Sequence, residues 1–128
     1  MKSILIMEGD RSVARLFAEV FKQDDWQVDS PSDGQSMAEA LLGNKHYDII
    51  LVSYRIPVMS GIDLIRLARN LEHRKHTPVL MATGSYDVID EALSAGANEI
   101  LHKPIDVDRL LAAATRHLSK IQTLAEFG

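Results

Sequence analysis

The 128-residue chain contains no cysteine, so neither a disulfide framework nor a thiol nucleophile is available to it. No apolar run approaches the roughly 18–20 residues that cross a bilayer, and the opening MKSILIMEGD turns acidic too early for a signal peptide. Basic residues are not in excess: the formal net charge of −4 argues against a large phosphate-binding surface for nucleic acid. These absences predict a cytoplasmic protein that binds neither nucleic acid nor a membrane.

The sequence also shows no linker, no low-complexity tract and no sign of a second domain. Apolar residues make up 46% of the chain and charged residues 25%, which is typical of an ordinary globular domain. We therefore expect a single domain over residues 1–128. Its core should span about residues 2–120, and residues 121–128 should form a C-terminal tail or the start of a linker.

Five short apolar runs recur along the chain and predict strands at residues 3–7, 26–28, 48–53, 78–83 and 98–101. Several of these runs are apolar without alternation, which is typical of strands buried on both faces of a parallel sheet. The intervals between runs fit a loop and a helix each. The pattern predicts an α/β domain with a doubly wound, five-stranded parallel sheet.

Helical periodicity fills those intervals. The predicted buried stripe of the first helix is Val13, Leu16, Phe17, Val20 and Phe21. Asp87 and Asp106 are predicted N-caps, because a short acceptor side chain can satisfy the first free amides of a helix. Gly43 and Gly96 stand where helices should end.

Parallel strands place their carboxyl ends at one edge of the sheet, where ligands of doubly wound folds bind. Polar or small residues follow or end four of the predicted strands at this edge. They are Glu8, Gly9 and Asp10 after the first strand, Ser53 at the end of the third, Thr83 and Gly84 at the fourth, and Lys103 after the fifth.

The motifs ILIMEGD, YDIILVSYRIPVMSG, TPVLMATG and GANEILHKPID resemble the receiver domains of two-component response regulators, the CheY-like family. The resemblance runs from Lys2 to about Leu118. The spaced Pro57 and Gly61, together with the Lys-Pro pair that begins at Lys103, are specific in combination. The resemblance implies a flavodoxin-like fold with strand order 2-1-3-4-5.

The resemblance also implies a chemistry. In such receivers an aspartate at the end of the third strand takes a phosphoryl group from a histidine kinase, and two acids after the first strand help to bind Mg²⁺. By position, Ser53 replaces the phosphoacceptor and Gly9 replaces one metal-binding acid, while Glu8 remains as the other acid. The matching remnants of the phosphate grip are Thr83, Gly84 and Lys103.

We therefore expect Mg²⁺ binding to be weak or absent and no other cofactor to be present. Glu8 can pair directly with Lys103, and Asp10 is a possible substitute metal ligand that we interpret instead as a helix-start acid. We expect Ser53 to accept hydrogen bonds from loop amides, and no base is evident beside it. A weakly bound anion is expected near the phosphate-grip remnants.

Three further features remain. Ile100 stands at the position where active receivers often carry a mobile aromatic residue, and it has no polar tip for such switching. A basic cluster lies at a predicted helix end, where cations complement the helix dipole: Arg69, His73, Arg74, Lys75 and His76. A metal site at His73 and His76 is disfavoured because their neighbours are cationic. Tyr54, Arg55, Tyr86 and His102 could belong to a protein-binding face.

The resemblance implies a degenerate receiver that signals without phosphorylation, as a protein-interaction module rather than an enzyme. Its partners would be signalling proteins such as a histidine kinase or an output protein, and a homodimer is a further option. One alternative is a phosphorelay receiver with a non-standard acceptor. Another is a flavodoxin-like cofactor binder, which is disfavoured because no G-x-G-x-x-G phosphate cradle is present.

Overall fold

The computed structural model describes the backbone of residues 1–127 and the side chains of residues 1–120. Its strands are β1 (Ser3–Met7), β2 (Gln27–Asp29), β3 (Ile49–Ser53), β4 (Val79–Thr83) and β5 (Glu99–His102). All neighbouring strands are parallel, and their order in the sheet is β2-β1-β3-β4-β5. The predicted α/β fold and strand order are confirmed.

Helices connect the strands. They are α1 (Arg11–Gln23), α2 (Gly34–Leu42), α3 (Gly61–Asn70), α4 (Ile89–Ala95) and α5 (Val107–Phe127). The backbone of the predicted tail at residues 121–127 continues α5, whereas Gly128 and the side chains of residues 121–128 lie outside the described residues. None of the helices in the described part of the chain is long and apolar enough to cross a lipid bilayer.

The sheet separates two hydrophobic cores, and each central strand supplies side chains to both. In β1, Leu5 and Met7 face the core shared with α2, α3 and α4, whereas Ile4 and Ile6 face the core shared with α1 and α5. All four side chains are fully buried. This double burial explains why the strands are apolar without alternation, and it holds their carboxyl ends at a common edge.

The buried face of α1 is shifted from the predicted stripe. Ala14, Phe17, Ala18 and Phe21 are buried, whereas Leu16 is 52% exposed. The buried face of α1 thus includes two alanines. The predicted stripe missed them because it was built from large apolar side chains.

The ends of the helices agree with the predictions except at Asp87. Asp106 precedes α5 and accepts a backbone N–H of its first turn at 2.8 Å, and Gly43 and Gly96 end α2 and α4. The prediction for Asp87 is wrong: it lies in a 3₁₀ turn, Tyr86–Val88, that runs directly into α4. Because the chain is already helical there, α4 begins without a side-chain cap.

Candidate functional site

The carboxyl ends of four strands bring the predicted site residues to one edge of the sheet. Glu8 follows β1, Ser53 ends β3, Thr83 ends β4 and Lys103 follows β5. The strand register places the end of β3 beside β4 and the end of β4 beside β5. The site is therefore built on rigid sheet positions, with only short loops beyond them.

Three of these side chains form one hydrogen-bonded group, which we call the Glu8 cluster: Glu8, Ser53 and Lys103. Glu8 Oε1 accepts a hydrogen bond from Ser53 Oγ at 2.5 Å and another from Lys103 Nζ at 2.6 Å. Glu8 Oε2 accepts from the backbone N–H of Asp10 at 3.1 Å. Both carboxylate oxygens of Glu8 are thus engaged within the chain.

Burial distinguishes the members of the Glu8 cluster. Glu8 and Ser53 are 2% and 1% exposed, whereas the side chain of Lys103 is 32% exposed. A buried carboxylate is stable only when it is paired and hydrogen-bonded, and the ammonium group of Lys103 supplies the balancing charge. A glutamate is one methylene longer than an aspartate, which lets it reach from β1 across to both β3 and the β5 end.

Ser53 differs from the expectation in one chemically important respect. The expectation that no base lies beside it is wrong, because Glu8 Oε1 accepts its hydroxyl proton in a hydrogen bond. Its hydroxyl therefore donates to a carboxylate, whereas it was expected to accept hydrogen bonds from loop amides. The length of the Glu8 side chain was the signal in the sequence that could have indicated this contact.

The loop after β3 packs against Gly9, the position that lacks the second acid. A Cβ atom built on Gly9 would lie 3.1 Å from Pro57 Cδ and 3.2 Å from the carbonyl oxygen of Arg55. Asp10 is used at the start of α1, where its Oδ1 accepts two backbone N–H groups at 2.9 and 3.2 Å. Neither position directs a free carboxylate toward the Glu8 cluster.

These residues do not fit a Mg²⁺ ion. Mg²⁺ prefers octahedral oxygen coordination that includes one or two free carboxylates, and here the oxygens of Glu8 are already bound to Ser53, Lys103 and a backbone amide. Within the residues whose side chains the structure describes, no group of three or more His, Asp or Glu is placed to hold a metal ion.

A cavity of about 280 Å³ opens beside the Glu8 cluster. Its lining includes Arg55, Thr83, Gly84 and Lys103, and no described acidic residue contributes to it. Thr83 Oγ1 accepts the backbone N–H of Ser85 at 3.0 Å, and no atom lies within 4 Å of a Cβ built on Gly84. The phosphate-grip remnants Thr83, Gly84 and Lys103 thus all line this cavity.

Ile100 lies within β5, opposite Met81 of β4, and packs partly buried against the core of α2, α3 and α4. On the neighbouring surface, Tyr86 stacks on His102 with ring centroids 3.8 Å apart. Tyr86 is 74% exposed. The sequence placed both aromatic residues near the crevice but carried no signal that their rings would stack.

Part of the basic cluster contacts the end of a different helix from the one that was expected. Arg74 is 2% exposed, and its guanidinium donates hydrogen bonds to the carbonyl oxygens of Ala40, Leu41 and Gly43 at the end of α2. His73 Nε2 lies 3.1 and 2.7 Å from the carbonyl oxygens of Leu41 and Gly43. Arg74 and His73 therefore stabilise the C-terminus of α2, where free carbonyl groups need donors. Arg69 instead donates to carbonyl groups beyond the end of its own helix α3 and at the end of α4.

Comparison with known proteins gives the family. The model of the family described as "Response regulator receiver domain" matches residues 4–115. Among curated proteins, response regulator ArlR of Staphylococcus aureus is 29% identical over 114 residues, which is 88% of this chain and 50% of the relative. The chain thus spans about half the length of the curated relatives it matches.

Solved structures show the same fold. A two-component response regulator from Clostridium difficile has a TM-score of 0.86 at 22% identity and covers 94% of this chain and 98% of its own. Chemotaxis protein CheY4 of Vibrio cholerae has a TM-score of 0.81 at 26% identity, covering 91% of this chain and 98% of its own.

A third structure is instructive for its metal. The receiver domain of sensor histidine kinase PA1611 from Pseudomonas aeruginosa has a TM-score of 0.84 at 23% identity and covers 92% of this chain and 98% of its own. That protein holds a magnesium ion in its active site cleft. The family model matches most of this chain, and the chain has the five-stranded parallel sheet expected for that family. This chain therefore belongs to the response regulator receiver domain family of two-component signal transduction.

Proposed function

We propose that this receiver domain acts as a protein-interaction module that does not depend on phosphorylation. The supporting observation is the Glu8 cluster, in which the one carboxylate that the described side chains place in this cluster is bound to Lys103 and Ser53. The receiver reaction transfers a phosphoryl group, which requires positioning and neutralisation of spreading negative charge. Here the carboxylate of Glu8 and the ammonium group of Lys103 neutralise each other, so the carboxylate is not free to bind a metal ion and the ammonium group is not free to bind a phosphoryl group.

The acceptor position supports the same proposal. Ser53 is 1% exposed, its Oγ is hydrogen-bonded to Glu8, and it does not line the adjacent cavity. A serine also cannot form the acyl phosphate that an aspartate forms. Conventional phosphorylation would therefore need both a new acceptor chemistry and an opening of the cluster.

The surface near α4 and α5 is the proposed partner-binding region. It carries the exposed Tyr86 stacked on His102, and Leu93 and Val107 are 47% and 36% exposed. Aromatic residues are enriched in protein-binding surfaces relative to the rest of a protein surface, which supports this assignment. The partner would be a signalling protein, such as a histidine kinase or an output protein, and the domain itself would catalyse no reaction.

The experiment is phosphodonor labelling. Wild-type protein is incubated with Mg²⁺ and acetyl phosphate, and its intact mass is measured after quenching. We expect no gain of a phosphoryl group, while a receiver with the complete set of acids serves as the positive control. A stable gain on the wild-type chain would refute the proposal, and a serine phosphoester would survive the measurement because it is not an acyl phosphate.

A second candidate is favoured by one observation. Glu8 Oε1 lies 2.5 Å from Ser53 Oγ, so a carboxylate is placed to take the hydroxyl proton while the oxygen attacks a phosphoryl donor. Lys103 opposes this role because its ammonium group already donates a hydrogen bond to the same carboxylate oxygen, at 2.6 Å. Phosphorylation by a cognate kinase that is abolished by Ser53→Ala would establish this candidate.

The family assignment favours either signalling role over a flavodoxin-like cofactor binder. That alternative predicts flavin absorption bands in the purified protein. A spectrum without them would eliminate it.

A further inference from the structure

The donors around Glu8 form a small oxyanion-binding group. A hydroxyl from Ser53, an ammonium from Lys103 and the backbone N–H of Asp10 all point at one carboxylate. Hydrogen bonds in which the donor or the acceptor is ionised are among the strongest in proteins, and all three of these bonds have an ionised acceptor. In this chain the anion is a side chain of the protein itself.

We propose that Glu8 is the built-in occupant of an oxyanion site, and that a free oxyanion takes its place when the carboxylate is removed. This inference rests on the proposed function, because a permanently occupied site has no vacancy for a transferred phosphoryl group. The shared chemistry of the replacement ligand is a small oxyanion, either a carboxylate such as formate or inorganic phosphate.

Access to the site supports replacement by a free ion. The cavity of about 280 Å³ is lined by Lys103, Thr83 and Gly84, and the side chain of Lys103 is 32% exposed at its edge. Arg55 lines the same cavity and adds a second cation near the mouth. Because Lys103 is both a donor to Glu8 and part of the cavity lining, an anion that enters the cavity meets one of the three donors of the site.

A simple buried ion pair makes a different prediction. If Glu8 only neutralised Lys103, removal of its carboxylate would destabilise the fold, and any salt would compensate to the same extent through screening. If Glu8 occupies an oxyanion site, the loss should be reversed by oxyanions in a saturable manner, because a ligand that binds only the folded state raises its stability according to its affinity.

The test uses Glu8→Ala, which removes the carboxylate and leaves room for a small ion. Its thermal midpoint is measured during titration with formate, acetate and phosphate, and with chloride at matched ionic strength. We expect a saturable rise with formate or phosphate and none with chloride. The isosteric Glu8→Gln is the matched control, since its amide still fills the space and should prevent the rise.

A second variant identifies the donor. In Glu8→Ala/Lys103→Met the dissociation constant for the oxyanion should rise by at least about ten-fold. One hydrogen bond to a charged group contributes a change in affinity of this order. Broadening of the ³¹P resonance of inorganic phosphate by Glu8→Ala, and not by wild type, gives an independent reading. Formate and phosphate as separate arms distinguish the two ligand sources.

Three results would overturn the proposal. They are equal stabilisation of Glu8→Ala by chloride, equal phosphate binding by wild type and Glu8→Ala, and failure of Glu8→Ala to fold in any of these salts. Failure of Glu8→Ala to fold would contradict the proposal because a concentrated oxyanion should bind the vacated site and restore folding. Labelling of wild type by acetyl phosphate tests the proposed function without any Glu8 variant, so the two failures are distinguishable.

Discussion

Lys103 Nζ lies 2.6 Å from Glu8 Oε1, although the two residues are 95 positions apart in the chain. In the sheet, β3 and β4 lie between the strands that carry them. The pair therefore ties the end of β1 to the end of β5 across the carboxyl edge of the sheet. Ser53 at the end of β3 donates a hydrogen bond to the same carboxylate.

Loss of the ammonium group should destabilise the domain. Lys103→Met leaves the buried Glu8 charge unpaired, and because Lys103 is partly exposed we expect a loss of about 2 kcal/mol, below the about 3–5 kcal/mol of a fully buried pair. Glu8→Gln/Lys103→Met should recover much of that loss, since it removes both charges. Urea denaturation measures each variant, and a Lys103→Met value within about 0.5 kcal/mol of wild type would contradict the prediction.

Restoring the missing acids should restore metal binding. Gly9→Asp/Ser53→Asp should bind Mg²⁺, detected as a rise in thermal midpoint on addition of MgCl₂ that wild type lacks. The Cβ at position 9 must displace Pro57 or the Arg55 carbonyl by a few tenths of an ångström, so some stability is lost first.

Gly9→Ala is the matched control for that packing cost, which we expect to be about 1 kcal/mol. If the double variant folds but shows no response to Mg²⁺, the Glu8 cluster holds its carboxylate too firmly for the metal to recruit it. The restored acids would then not be sufficient for a receiver site.

The strands were predictable because burial on both faces leaves a strong apolar signal. Each predicted run matches an observed strand to within one residue at either end, including β2, which begins one residue late at Gln27. Trp26 was placed in that strand but instead packs before it, 4% exposed, with its indole N–H donated to Asp24 at 3.1 Å. An aromatic residue at a strand end satisfies the apolar pattern whether or not its backbone joins the sheet.

The contacts within the site were less predictable, because strand positions fix where a Cα lies and not how far a side chain reaches. Glu8, Ser53 and Lys103 were placed at one edge from the sequence, but the hydrogen bond from Ser53 to Glu8 depends on side-chain rotamers. The partner of Arg74 could not be found either, since Leu41 is 33 positions away and offers only a backbone carbonyl. Backbone acceptors carry no mark in a sequence.

Arg74 should be more important for stability than any exposed arginine. Its buried guanidinium donates to three carbonyl groups at the end of α2 and lies 5.0 Å from the centre of the Tyr47 ring. Arg74→Met should cost about 2–4 kcal/mol, because it removes three hydrogen bonds that a buried, charged donor makes. Arg74→Lys should recover little, since an ammonium group cannot reproduce the planar geometry.

The control for Arg74 is Arg66→Met. Arg66 pairs with Glu91 at 3.3 Å, and both side chains are more than half exposed, so we expect a change below about 1 kcal/mol. Both are measured by urea denaturation. Equal effects of the two substitutions would show that the carbonyl contacts of Arg74 contribute no more than a surface ion pair.

The pH dependence of stability should report on Glu99 at the edge strand β5. Burial acts to raise the pKa of this carboxyl, but hydrogen bonds from Arg116 and His117 outweigh it and hold the pKa below the ordinary value of 4.5. A lowered pKa in the folded state means that the stabilisation is complete above pH 4.5 and is lost as the pH falls through the folded-state pKa. Glu99→Gln should therefore be less stable than wild type at neutral pH, and the difference should shrink below pH 4.5. Urea midpoints measured from neutral to acid pH test this, with the exposed Glu19→Gln as control. A difference that stays constant as the pH falls would show that Glu99 stabilises the fold through packing and not through its charge.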